Sequence, residues 1–124
     1  MSFMGPLLLE NPLEIDDARR ASHALAQQRR AAEVDLDRLT RDAAEKERLY
    51  RKAFAQVFLV AEGASAAQRE AHAKAASADA AYERDLAAGL VKACIERLRG
   101  LEGERSQLKS ICEWSAKMSF QGVS

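Results

Sequence analysis

The chain has 124 residues, with 19 Lys plus Arg and 19 Asp plus Glu, so its formal net charge is zero. This length accommodates one domain and not two ordinary ones. The balanced charge excludes both a protein held on nucleic acid by bulk positive charge and a strongly acidic DNA mimic. The chain contains 25 Ala against six Gly and two Pro, and this composition predicts an almost all-helical protein with few breaks.

The first segment, residues 1–11, is predicted to be a hydrophobic N-terminal flap. Its longest apolar run is Leu7, Leu8 and Leu9. This run is too short for a signal peptide, and the chain has no apolar stretch long enough to cross a membrane. We therefore expect a cytoplasmic protein.

Helix one is predicted over residues 12–62. Asn11 is a suitable N-cap, Pro12 suits the first helical position, and no Gly or Pro follows until Gly63. Two series of residues seven apart run along it, and nine of their eleven members are apolar or aromatic. They are Leu25, Ala32, Leu39, Lys46, Ala53 and Val60, and Arg29, Leu36, Ala43, Tyr50 and Val57. This spacing predicts a coiled coil packed against another helix.

A tight turn is predicted at residues 63–65, followed by helix two over 65–118 and a tail over 119–124. Gly63 suits a helix C-terminus, and Ser65 with Gln68 forms the pattern of a capping box. A short connection makes the two helices antiparallel. Gly100 and Gly103 predict a kink, a close helix crossing or a break within helix two. The expected fold is thus all-α, a long antiparallel helical hairpin forming a two-helix coiled coil.

A single hairpin does not bury all of its apolar residues, and we expect a second chain to cover the remainder. We therefore predict a homodimer joined through the C-terminal half of helix two. The alternative is that the N-terminal segment folds back to cover them. The residues expected to contact a partner are Leu7, Leu8, Leu9, Trp114 and Met118. Cys94 and Cys112 are read as buried apolar residues. An antiparallel dimer centred near Gly103 would instead bring Cys94 beside the partner's Cys112.

No residue pattern predicts catalysis, a metal site or a cofactor. His23 and His72 have no second ligand at metal-site spacing, and a thin hairpin offers no pocket that excludes water. Six basic residues form the alternative site, a sequence-independent contact with phosphates. They are Arg48, Arg51, Lys52, Arg97, Arg99 and Arg105.

Residues 45–118 resemble small coiled-coil proteins of bacteriophages of Gram-positive hosts, which are often encoded beside recombination and annealing genes. The resemblance is carried by the stretch Tyr50–Ala55, by Ala61-Glu62-Gly63, by the Ala-rich start of helix two and by Arg105–Ser110. It implies a non-enzymatic accessory protein in phage DNA replication, recombination or host takeover, acting in the host cytoplasm by binding a partner protein. The alternatives are a nucleic-acid-binding accessory protein and a stoichiometric inhibitor of a host nuclease or defence complex.

Overall fold

The computed structural model describes the backbone of residues 12–60 and 65–122 and the side chains of residues 16–60 and 65–118. These residues form three helices, α1 (Pro12–Val60), α2 (Ala66–Ala76) and α3 (Ala78–Gly122), without a strand among them. In each of the two compact units of the chain, a part of α1 contacts a part of α3. The all-α prediction is therefore confirmed, whereas a coiled coil and a dimer remain predictions.

The chain divides into two compact units. Unit 1 comprises Met1–Glu33 and Glu96–Ser124, and unit 2 comprises Val34–Ile95. Each unit contains a part of α1 and a part of α3. In unit 1, Arg29 of α1 contacts Glu102 of α3 at 3.2 Å. In unit 2, Arg84 of α3 lies over the ring of Tyr50 of α1, 4.0 Å from its centroid.

The seven-residue series predicted for helix one forms the least exposed stripe of α1. Leu25, Leu36, Tyr50 and the other members are buried or half-buried, including the charged Arg29 and Lys46, whose aliphatic stems can pack against apolar neighbours. Only Val60, at the last residue of α1, is exposed. The stripe is continuous because no Gly or Pro interrupts the helix between Pro12 and Val60.

The capping box predicted at the start of helix two is present. The backbone N–H of Gln68 donates to Ser65 Oγ at 3.2 Å, and the N–H of Ser65 donates to Gln68 Oε1 at 3.0 Å. Two N–H groups that would otherwise lack an acceptor are thereby satisfied. Residues 61–64, which include the expected turn glycine Gly63, lie outside the described part of the chain.

We expect Ser65→Ala to lower the free energy of unfolding by about 1 kcal/mol, because it removes the acceptor for the Gln68 N–H. Urea titration followed by far-UV circular dichroism measures this change. Ser106→Ala, at an exposed serine inside α3, is the matched control and should leave stability unchanged within about 0.5 kcal/mol. Equal losses in the two variants would contradict a capping role for Ser65.

Helix two is not one helix, because it is divided at Ser77. This residue has φ −101° and ψ 11°, outside regular helical geometry. Its hydroxyl donates to the Ala73 carbonyl at 2.6 Å, and its N–H donates to the same oxygen at 3.0 Å. A serine hydroxyl that bonds four residues back bends a helix. The backbone continues as α3, since the Ala81 N–H donates to the Ser77 carbonyl at 2.9 Å.

Gly100 and Gly103 do not break the helix, since α3 continues through both. A Cβ atom placed on either glycine would meet nothing within 4 Å among the described residues. A close helix crossing at this position is therefore also absent from the described chain. A helical backbone tolerates an exposed glycine at a cost of only about 1 kcal/mol, which explains why α3 is not broken here. A kink at these glycines stays a prediction.

The core of each unit consists mainly of small side chains. In unit 1 the buried residues are Ala18, Ala32, Leu101 and Ser115, and in unit 2 they are Ala73, Ser77, Ala87 and Cys94. Because small side chains let helix axes approach closely, the helices can pack tightly although each side chain buries little area. Cys94 belongs to this core, in line with its interpretation as a buried apolar residue, whereas Cys112 is half-buried. The pairing of Cys94 with the partner's Cys112 stays a prediction.

Candidate protein-interaction surface

The C-terminal part of α3, in unit 1, exposes two large apolar side chains. Trp114 is 40 % exposed and Met118 is 44 % exposed. They lie three and seven residues after the half-buried Ile111, a spacing that places all three on one face of a helix. We call Ile111, Trp114 and Met118 the Trp114 face. It is the feature of unit 1 that best fits the interaction site predicted from the sequence.

The other residues predicted to contact a partner, Leu7, Leu8 and Leu9, lie outside the described residues. Their contribution to the Trp114 face therefore stays a prediction. Lys109 and Glu113 form an ion pair at 4.0 Å, and their spacing places both on the opposite side of α3 from the Trp114 face.

In unit 2, the predicted phosphate-binding arginines are paired with acids of their own helix. Arg48 donates to both carboxylate oxygens of Glu45, at 2.6 and 3.0 Å. Arg51 Nε donates to Glu47 at 2.9 Å. The hydrogen bond from Arg48 lowers the pKa of Glu45 below its ordinary value, and the same bond raises the pKa of Arg48. Among the described side chains of this unit, Lys52 has no recorded acid partner.

In unit 1, the remaining three predicted arginines are also engaged. Arg99 donates to Glu96 at 2.6 Å and Arg105 donates to Glu102 at 3.5 Å. Arg97 has an interaction within the chain as well. The six basic residues divide equally between the two units. Because neighbouring carboxylates balance most of them, no concentrated positive stripe forms within either unit.

A groove of about 290 Å³ in unit 1 is lined by Ala26, Arg29, Arg30, Glu33 and Arg105. Arg29 contacts Glu33 and Glu102, each at 3.2 Å, and Glu102 also contacts Arg105. Glu33 and Glu102 thus neutralise the guanidinium groups of Arg29 and Arg105. The sequence analysis missed this cluster because the pairing of Arg29 with Glu102 depends on the register between α1 and α3, which sequence spacing does not reveal.

A second cluster missed by the sequence analysis lies in unit 2 around Arg84. Its guanidinium stacks on Tyr50 and contacts Asp85 at 3.1 Å and Glu47 at 3.8 Å. The hydrogen bond to Asp85 raises the pKa of Arg84. The Tyr50 ring also packs against Phe54, with 6.1 Å between ring centroids. Phe54 packs in turn against Phe58, with 6.0 Å between centroids. The cation–π contact of Arg84 with Tyr50 and its ion pair with Glu47 join α3 to α1 in unit 2, whereas the three rings pack along α1 itself.

The described residues contain no group of three or more His, Cys, Asp or Glu side chains that could hold a metal ion. None of the described helices combines the length and apolar character needed to cross a membrane. The chain matches no protein-family model, and its comparison with curated proteins and with solved structures also gives no match.

Proposed function

We propose that this protein is a non-enzymatic coiled-coil interaction protein that self-associates and binds a partner protein through the Trp114 face. The observation that carries the proposal is the exposure of Trp114, 40 %, on a helix face that it shares with Ile111 and Met118. Tryptophan is enriched among the residues that contribute most to protein interfaces. A spacing of three and then four residues is the pattern by which a helix enters an apolar groove.

The coiled-coil part of the proposal is supported by the period of burial. Along the second part of the chain, Ala73, Ala87, Cys94, Leu101 and Ser115 are buried at intervals of seven or fourteen residues. Helix one shows the same period in its least exposed stripe. A sustained seven-residue period winds helices around each other in a left-handed supercoil.

The resemblance to phage coiled-coil proteins supplies the class of partner to test. We propose a protein of phage DNA replication or recombination, or a host protein engaged during takeover, with an apolar groove that accepts Trp114 and Met118. Capture of one host nuclease or one defence protein at a fixed stoichiometry would support the alternative that this protein is a stoichiometric inhibitor.

The ion pairs of the basic residues weigh against direct binding to nucleic acid. Arg48, Arg51 and Arg99 already make short contacts with carboxylates. A phosphate would have to displace these neighbours, which reduces the gain from each contact.

We expect Trp114→Ala to weaken partner binding by about 2 kcal/mol or more, equivalent to roughly 30-fold in Kd. The tagged protein is used to capture its partner from host lysate with and without nuclease, and the purified pair is then measured by calorimetry. Leu59→Ala, at another exposed apolar residue, is the matched control and should bind as the wild type does.

Nuclease treatment and salt concentration distinguish binding to a partner protein from binding to nucleic acid. Partner capture that persists after nuclease treatment and in high salt, and that is lost with Trp114→Ala, would support the proposal. Capture that disappears with nuclease, or falls steeply with salt for both variants, would instead establish tethering by nucleic acid. Unchanged calorimetric affinity of Trp114→Ala would contradict the assignment of the Trp114 face.

A further inference from the structure

The groove of unit 1 brings three guanidinium groups together between two helices. Its lining residues, which we call the Arg30 groove, are Ala26, Arg29, Arg30 and Glu33 of α1 and Arg105 of α3. The four residues of α1 lie within about 100° of one another around the helix, so they form one wall. The contact of Arg29 with Glu102 of α3, at 3.2 Å, joins this wall to the helix that supplies Arg105.

Arg30 is the guanidinium group of the groove that is available to a ligand. Among the described side chains of unit 1 it has no recorded acid partner. Glu33 contacts Arg29, and Glu102 is shared between Arg29 at 3.2 Å and Arg105 at 3.5 Å. Three guanidinium groups therefore share two carboxylates, and the excess positive charge favours an anion in the groove.

A phosphate group suits this arrangement better than a carboxylate does. Each guanidinium group presents five N–H donors in a rigid planar fork that matches the oxygens of a phosphate. A phosphate monoester offers three strong acceptor oxygens and a charge of about −1.5 to −2 at neutral pH. A carboxylate carries a single charge and would only replace Glu33 or Glu102 by an equivalent group, without a gain in attraction.

The volume of the groove leaves space for a substituent on the phosphate. It is about 290 Å³, whereas one water molecule occupies about 30 Å³ in the liquid. A bare phosphate ion is much smaller than the groove. Ala26 adds an apolar surface to the lining, against which a small organic group can pack.

We propose that the Arg30 groove binds the phosphate group of a small phosphate monoester, with Arg30 as the main contact and Arg29 and Arg105 as further donors. This inference goes beyond the proposed function. Arg105 and Trp114 are nine residues apart in α3, which is two and a half helical turns. The groove and the Trp114 face therefore lie on opposite sides of that helix. A single phosphate suffices here, whereas a nucleic acid gains affinity from a run of such contacts.

NMR of the full chain measures this binding through the Nε–H signals of its arginines. At constant ionic strength, inorganic phosphate and a nucleoside monophosphate should each shift the signals of Arg29, Arg30 and Arg105 until they saturate. The monophosphate should bind more tightly, because it fills more of the groove. The nucleoside without phosphate, and acetate, should leave these signals unchanged.

Arg30→Ala should raise the Kd of the monophosphate about tenfold, because it removes charge-assisted hydrogen bonds to the phosphate. Lys52→Ala is the matched control. It removes the same charge from unit 2, at an exposed cation that also lacks a recorded acid partner among the described side chains. Far-UV circular dichroism verifies that both variants are as helical as the wild type. An unchanged Kd in Arg30→Ala, or equal weakening in both variants, would overturn the proposal.

Glu33→Gln tests whether an acid of the groove competes with the ligand. It removes the carboxylate that lies 3.2 Å from Arg29 Nε, so the monophosphate should bind severalfold more tightly. Asp37→Asn makes the same change of charge beside Arg41 in unit 2 and should leave the Kd unchanged. Weaker binding in Glu33→Gln, or equal tightening in both variants, would show that the ligand does not occupy this groove.

The remaining outcomes separate a built site from general attraction of anions. Arginine signals that do not shift at millimolar monophosphate would overturn the proposal. Shifts at Arg41 and Arg51 as large as those at Arg30 would overturn it too, since they report only screening of charge. Tighter binding of an oligonucleotide without a terminal phosphate would overturn the monoester and assign the groove to a nucleic-acid backbone. Partner capture should persist in Arg30→Ala, so failure of this site differs from failure of the proposed function.

Discussion

Replacing Leu101 with alanine is expected to lower the free energy of unfolding by about 2–4 kcal/mol. Leu101 is only 9 % exposed and is the one large aliphatic side chain among the described buried residues of unit 1. The other buried residues described there, Ala18, Ala32 and Ser115, are too small to extend into the volume that the truncation leaves. The loss therefore combines the lost burial of apolar area with the cost of a cavity.

Urea denaturation followed by circular dichroism measures this loss, with Leu59→Ala as the matched control. Leu59 is 77 % exposed, so the same chemical change should alter stability by no more than about 0.5 kcal/mol. The two variants should have the same dependence on urea concentration and differ in their midpoints. Similar midpoints would show that Leu101 does not occupy the core of unit 1.

Enlarging Ala32 to leucine is the second substitution with a large expected effect, about 1–3 kcal/mol of lost stability. Ala32 is fully buried at 0 % exposure. A small residue at this position lets α1 approach its neighbour closely, and the added methyl groups would have to push the helices apart. The lost stability should lower both the urea concentration at the unfolding midpoint and the thermal transition temperature.

Ala31→Leu is the control for overpacking, since Ala31 is the preceding residue of the same helix and is exposed. Both variants have the same helix propensity and the same added volume, so their difference isolates the packing cost. A variant Ala32→Leu as stable as Ala31→Leu would mean that the helices separate without penalty. That result would contradict a tightly packed seam in unit 1.

The sequence predicted the local features of this fold well because they depend on neighbouring residues. The start of α1 at Pro12, the Ser65–Gln68 capping box and the buried stripe of α1 all follow from short-range spacing. The division of helix two was not predicted. Gly100 and Gly103 do not break it, whereas Ser77 divides it, with its buried hydroxyl bonded to the Ala73 carbonyl.

The candidate site was only partly predictable. Trp114 and Met118 are exposed, but their contact with a partner stays a prediction, and Leu7, Leu8 and Leu9 fall outside the described residues. The basic residues were recognised as a group with acids interleaved among them. Glu45, Glu47 and Glu96 stand three or four residues from their arginines, so this pairing was available from the sequence.

The sequence by itself determined that this protein is helical, where its first helix begins and which stripe of that helix is buried. These properties follow from propensity, capping and period, each of which acts over a few residues. Only the tertiary structure decided that Arg29 meets Glu102, that Arg84 stacks on Tyr50 and that Leu86 stays exposed. Such contacts depend on the register and rotation of one helix against another. The summed packing of many small side chains sets that register, and no local pattern encodes it.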